Sequence, residues 1–271
     1  MTRCWKGIAL GTLMAFAVGS GVSAAAPEDA QAAQAQAQGT ATAETADAPM
    51  GLSARLAAKR SAADAKAAKK AARLLDRANL KASDWLTSNT ISENEVVAVW
   101  RDAYRRFKTK KGARCSVENL LKRVLKDNPV GHINPSVDLS NAISLKYALP
   151  IGAENIDALE GTFRLAVTEG GDEYLPIGED ESDPTLPGEL AYIDDAGALC
   201  RCWNWRDGQR TEVTDQTPHC VFIMENLQPE RAGDLRAAID ELAQQLEELL
   251  GATVQNKGIV TRDNPEFVLE A

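Results

Sequence analysis

The sequence predicts an α+β fold, with helices first and a block of mostly antiparallel strands after them. Three observations carry this. Val96, Val97, Val99, Trp100, Tyr104 and Phe107 recur at largely helical spacing. Past Pro150 the apolar pattern alternates with period two, as in Phe163-Arg164-Leu165-Ala166-Val167. Pro229 then opens a long stretch whose Leu235, Ile239, Leu242, Leu246 and Leu249 fall on one helical face.

Taken in order, the chain of 271 residues begins with Arg3 and Lys6, the apolar run Gly7 to Gly19, and the small residues Ser23-Ala24-Ala25. That order reads as an export signal over residues 1–25, with Met50 as the alternative start. The run is too short and glycine-rich to span a bilayer by itself, so no membrane span is expected after processing. Residues 26–50 are alanine, glutamine and threonine with little to bury, which predicts a disordered tether. Residues 51–85 are alanine-rich with Lys59, Arg60, Lys66, Lys69, Lys70, Arg73 and Arg77. Propensity predicts a helix there, and its thin apolar stripe predicts that it is solvated or loosely docked; phosphate or an anionic membrane surface is the alternative for its charges.

The ordered domain is expected over residues 90–271. Ser92-Glu93-Asn94-Glu95 fits a capping box for the first helix. Ser116 is a cap for a second helix through Lys126, stopped by Asn128-Pro129, and a third is expected from Ser136 to Tyr147. Strands are expected at Phe163–Val167, Tyr174–Ile177, Leu190–Ile193, Ala198–Trp205, Cys220–Met224, Thr253–Val260 and Phe267–Leu269.

The net charge of −9 hides a division. Met50 to Lys126 holds 19 basic and 7 acidic residues, whereas Asp127 to Ala271 holds 9 basic and 28 acidic. A basic front on an acidic body suits a polyanion held at the front and repelled elsewhere. Arg105, Arg106, Lys108, Lys110 and Lys111 are the candidate phosphate contacts.

Reactive groups are few. His132 and His219 have no serine, cysteine or carboxylate partner evident in sequence, and no glycine-rich phosphate loop, H-E-x-x-H or dinucleotide fingerprint occurs. Cys115, Cys200, Cys202 and Cys220 remain once the signal segment is set aside. Cys200-x-Cys202 with His219-Cys220 lacks the spacing of structural zinc pairs, so small apolar packing is expected and neither metal nor cofactor is. In Trp203-Asn204-Trp205-Arg206-Asp207, strand geometry puts both tryptophans on one face as sheet anchors. Asn204 and Arg206, with Asp207 at the strand end, then become candidates for a pocket. Glu225, at the end of an apolar strand, is a second carboxylate of interest.

Together these segments resemble a known family. Ile133-Asn134-Pro135-Ser136-Val137-Asp138-Leu139-Ser140-Asn141 is similar to the I-N-x-x-V-D-x-x-N segment of the B3/B4 domain in the β subunit of bacterial phenylalanyl-tRNA synthetase. Leu149-Pro150-Ile151-Gly152 and Ile156-Asp157-Ala158-Leu159-Glu160-Gly161 continue the likeness in the same order. The Trp203–Asp207 segment looks like the version in free-standing members. The likeness runs from about Glu93 to the C-terminus.

The synthetase domain hydrolyses tyrosine wrongly esterified to the tRNA for phenylalanine. The resemblance therefore implies a B3/B4-like α+β fold, a tRNA partner with an aminoacylated 3′ end, and possible deacylation in trans, without aminoacylation. It implies that Asn141 lies near the pocket and that Glu225 stands where the synthetase recognises the tyrosine hydroxyl. Two positions depart from the synthetase: Gly152 replaces a histidine, and the Trp-Asn-Trp-Arg-Asp segment replaces a glycine-rich loop. Free-standing members also begin with a short strand-forming segment, whose place here is taken by the signal-like start and the basic helix. The rival expectation is an exported, non-enzymatic binding protein that reuses the fold for a small ligand or a protein partner. The signal-like start implies export; the resemblance implies the cytoplasm.

Overall fold

A computed structural model describes the backbone of residues 3–7, 12–20 and 52–269 and the side chains of residues 61–269. The expected tether at 26–50 lies outside these. Two sheets form the body. The first strands, β1 (Arg3–Gly7) and β2 (Thr12–Ser20), precede helix α1 (Leu52–Lys81). Helices α2 (Glu95–Tyr104), α3 (Ser116–Leu125) and α4 (Pro135–Tyr147) follow. Next come β3 (Ile151–Asn155), β4 (Phe163–Val167), β5 (Leu190–Ile193), β6 (Ala198–Arg201), β7 (Arg206–Asp207) and β8 (His219–Asn226). Helix α5 (Ala232–Leu250) and strands β9 (Ala252–Val260) and β10 (Glu266–Leu269) close the chain. One sheet has the order β10-β1-β4-β5-β6-β7 and the other β3-β8-β2-β9, with β1 parallel to β4 and the other pairings antiparallel.

The segment expected as an export signal thus supplies two strands. Thr12–Gly19 pairs with Asn226–His219 of β8 on one side, and Leu13–Ser20 pairs with Val260–Ala252 of β9 on the other. Strand β8 shows why the sheets stack. Its Cys220, Phe222 and Met224 face a core shared with Leu139 and Ile143 of α4 and Leu235, Ile239, Leu242 and Leu246 of α5. Its Val221 and Ile223 face the opposite way, into a second core with Phe163, Leu165, Tyr192 and Trp203, closed over by Trp100 and Tyr104 of α2 and Val117 and Leu121 of α3. Both faces of the strand are buried, so its sequence is continuously apolar rather than alternating.

Three local expectations are corrected. Helix α1 is not loosely docked: Ala71, Leu75, Ala78 and Ala82 are buried. The Asn79 side chain locks it to the α3–α4 connection, accepting from the Val130 N–H at 2.8 Å and donating to the Val130 carbonyl at 3.0 Å. Small residues docked closely supply this interface, which a count of large apolar side chains misses. The capping box does not form; Asn94 precedes α2 and spends its side chain on the turn from Ser88 to Ile91. Tyr174–Ile177 is not a strand, and its Pro176 makes only an isolated bridge to Gly208. Asn134, by contrast, caps α4 through its side chain at Val137 N–H, with Pro135 beginning the helix.

Two outcomes are expected. Leu75→Ala destabilises the protein by about 2–5 kcal/mol in denaturant unfolding, as for a packed core leucine; a solvated helix would lose no more than about 0.5 kcal/mol. A chain started at Met50 lacks β1 and β2 and leaves the facing edges of β8 and β9 open. It is expected to unfold at a lower denaturant midpoint than the full chain, and an equal midpoint would remove those strands from the folding unit.

Candidate functional site

Strand β6 stops at Arg201 because the next two residues take left-handed backbone, with φ of 46° at Cys202 and 69° at Trp203. Such a conformation costs on the order of 1 kcal/mol or more for each non-glycine residue, so the surroundings must hold it. They do. The Cys202 N–H donates to Glu189 Oε1 at 2.7 Å, and the Trp203 N–H donates to the Leu190 carbonyl at 2.5 Å. The Asn204 carbonyl accepts from the Ser116 N–H at 3.1 Å. Glu189 itself is fully buried against the fully buried Arg201, whose Nε donates at 2.9 Å while Nη2 makes the second bond of the fork. Burial opposes ionisation of Glu189, but Arg201 and the Leu186 and Cys202 N–H groups outweigh it and hold the carboxyl below its usual range.

This turn corrects the expected alternation of faces. Trp203 and Asn204 point to the same group, Glu225. Glu225 Oε1 accepts from Tyr192 Oη at 2.5 Å and from Trp203 Nε1, and its Oε2 accepts from Asn204 Nδ2. Tyr104 Oη completes the chain by donating to Asn204 Oδ1 at 2.8 Å. All five residues are buried. The Trp203 ring also packs 5.1 Å from Trp100 and stacks on Tyr104 at 6.0 Å, so it is core and polar partner at once. Burial raises the Glu225 carboxyl to about 7, against the opposing pull of the bonds from Tyr192, Asn204 and Trp203.

The remaining candidates divide. Arg206 turns outward to the exposed Glu179 at 2.6 Å. Asp207 is bonded to the Cys200 thiol, and burial raises its carboxyl. Close to it, buried Glu154 accepts from the Thr211 hydroxyl and is raised by burial and by the charge of Asp207. Asn141, half-buried on α4, makes no hydrogen bond to the Glu225 cluster. Among the basic candidates, Arg105 is paired with Asp102 at 2.5 Å and Lys110 with Asp183, whereas Arg106, Lys108 and Lys111 are exposed. Sequence reasoning missed Tyr104, Tyr192, Glu189 and Arg201. Alternation in β5 did place Tyr192 on the buried face with Leu190, and a buried phenol needs an acceptor.

Gly152 lies on β3 opposite Ile223, the neighbour but one of Glu225 on the same face of β8. A side chain there would enter open space, with nothing within 4 Å of a Cβ. The buried polar cluster thus lies within two residues of a β3 position that would accept a side chain. The side chains bonded to Glu225 include no serine, cysteine or histidine, while elsewhere the Cys200 thiol meets Asp207 and the Thr211 hydroxyl meets Glu154. His132 does have carboxylate partners, Asp138 at 3.1 Å and Asp76 at 3.5 Å, and His219 has Asp157 at 2.9 Å, correcting the expectation that neither was paired. The four cysteines are buried and unbridged, with the Cys200 thiol raised by burial and that of Cys220 pushed by burial to about 12. Among the described residues no group of three or more His, Cys, Asp or Glu side chains is placed to hold a metal ion.

A domain of this build, helices over two sheets with a buried carboxylate at their junction, matches a known family model. The B3/4 domain model aligns with residues 99–251, more than half of the chain, and the protein belongs to the B3/4 domain family. One matching solved structure is an N-terminal fragment of the phenylalanyl-tRNA synthetase β subunit from Pyrococcus horikoshii. It is 16% identical over 51% of this chain, with a TM-score of 0.38, and the match spans 45% of that fragment. No curated protein matches the chain.

Glu225 generates a pH prediction. Its folded-state value of about 7 lies above the unfolded value near 4.3. Its contribution to stability is therefore fully present below about pH 4.3 and is lost as pH rises through about 7, on the order of 3 kcal/mol across that window. Glu225→Gln is expected to flatten that part of the fall in unfolding free energy between pH 5 and 8, measured by urea titration. A slope identical to the wild type would show that other buried acids, Glu154 and Asp207 foremost, carry it.

Proposed function

We propose that this protein binds tRNA through its B3/4 domain and hydrolyses mischarged aminoacyl-tRNA in trans. The observation that carries the reading is the convergence of Trp203, Asn204 and Tyr192, from separate segments of the matched region, on buried Glu225. A site built on buried polar groups discriminates hydroxyl-bearing from apolar ligands, because an unmatched polar group is left unpaired. With no serine, cysteine or histidine among the side chains bonded to Glu225, hydrolysis proceeds by holding the ester and a water against amide and hydroxyl groups, with no covalent intermediate on the protein.

A second reading, binding without hydrolysis, is favoured by one specific feature. Tyr192 already donates a phenolic hydroxyl to Glu225, the group that the resemblance pairs with a substrate tyrosine. An acceptor holding three donors of its own protein serves as an anchor for Asn204 and Trp203 as much as an open recognition group.

The two readings separate in one assay. Purified protein is incubated with tyrosyl-tRNA carrying the phenylalanine anticodon, and release of tyrosine is followed for wild type, Glu225→Ala and Tyr192→Phe. The editing reading expects at least a tenfold loss in Glu225→Ala, with Tyr192→Phe retaining activity because it frees an acceptor rather than removing one. Binding of the same tRNA with no release above the uncatalysed rate, in all three proteins, would leave the binding reading alone. No binding at all would overturn both.

A further inference from the structure

Helix α1 belongs to neither the Glu225 cluster nor the family-matched region, yet it carries the longest row of free cations on the described surface. Lys66, Lys70, Arg73, Arg77 and Lys81 are all exposed and follow one another at intervals of three or four residues. That spacing sets them in a single stripe about 22 Å long. The opposite side of the helix, Ala71, Leu75, Ala78 and Ala82, is buried in the two cores, so docking fixes which way the stripe points. No ion pair among the described residues engages any of the five. The described acids of the helix are Asp64 and Asp76, and Asp76 lies 3.5 Å from His132 Nε2. The row contrasts with the 105–111 turn, where two of the five cations are neutralised by Asp102 and Asp183.

The Arg123 guanidinium donates to the Pro129 carbonyl at 3.1 Å, and Asn79 of α1 binds the adjoining Val130 through both its amide atoms. These bonds tie the α3–α4 connection to the buried side of α1, which fixes the stripe toward solvent. On the other flank a groove of about 660 Å³ separates Lys70, Arg73 and Arg77 from α5. The α5 acid facing it, Glu248, is held by the Gln244 amide at 2.7 Å.

We propose that the α1 stripe is a track for the phosphate backbone of RNA. A lipid surface is the less suitable polyanion. A helix lying in a membrane interface needs its own apolar face for insertion, and here that face is consumed by packing, with Leu80 the one large apolar side chain left exposed among the described residues of the helix. The proposal rests on the tRNA-binding reading and says where the backbone is gripped.

The test measures binding of a tRNA transcript to the full chain between 50 and 200 mM salt. Lys66, Lys70, Arg73 and Arg77 are replaced together by glutamine in one variant and by the opposite cation, Lys→Arg and Arg→Lys, in a second. Arg106, Lys108 and Lys111 are replaced by glutamine in a third. Each neutralised phosphate contact contributes roughly 0.7–0.9 to the slope of log K against log salt, so the first variant is expected to lose about 3 from that slope. The charge-retaining variant is expected to keep the wild-type slope, and the third to lose less than the first. Wild-type slope in the glutamine variant would overturn this track while leaving tRNA binding intact. Binding to vesicles of anionic lipid with none to tRNA would overturn the track and the tRNA reading together.

Discussion

A carboxylate placed between two sheets must be met by donors, and that requirement organises the middle of this protein. Glu225 sits on β8, the strand buried on both faces, and its donors come from β5, from the turn after β6, and indirectly from α2 through Tyr104. Leaving such a group unpaired costs far more than its bonds return in net stability. The cluster therefore specifies how the second sheet and the α2 helix sit on the first. It also makes Trp203 unusual among core tryptophans: its ring fills the aromatic nest with Trp100, Tyr104 and Phe107 while its N–H is spent on the carboxylate.

The left-handed turn at Cys202 and Trp203 depends on a second buried charge. Glu189 and Arg201 neutralise one another, and the spare capacity of the carboxylate takes the Cys202 N–H. Removing one partner of such a pair is strongly destabilising because the other charge is stranded. The two networks are thus in series: the ion pair holds the turn, and the turn delivers Trp203 and Asn204 to Glu225. Through Asp183, bound by both Arg201 and Lys110, the same network fastens the basic turn after α2 to the loop that carries Glu179, Asp180, Glu181 and Asp183. This explains why cations that look available in sequence are occupied in the fold.

Charge is segregated at the scale of the chain but not of the surface. Most cations of the domain body are matched locally, as at Arg101–Glu118, Arg164–Asp195 and Arg210–Asp194. Unmatched cations collect on α1, whose small buried residues let it dock while exposing its long basic side chains. No described helix is long and apolar enough to cross a membrane.

Much of this was legible from residues alone. Period and punctuation determined the α+β class, the α4 helix to within a residue of its start, the long α5 helix, and strands β4, β5, β8, β9 and β10, because those signals are local. The ordered motifs determined the family, and Glu225 and Asn204 stood out by residue type and position. Only the tertiary structure decided the rest. Whether α1 was free or docked turned on alanine-sized contacts with distant helices. Whether Trp203 and Asn204 faced apart or together turned on two backbone angles held by Glu189, twelve residues from its Arg201 partner. The run Thr12–Ser20 takes as its strand partners β8 and β9, some 200 and more residues later in the chain. Each of these depends on partners remote in sequence, and a local pattern carries no information about what will be brought against it.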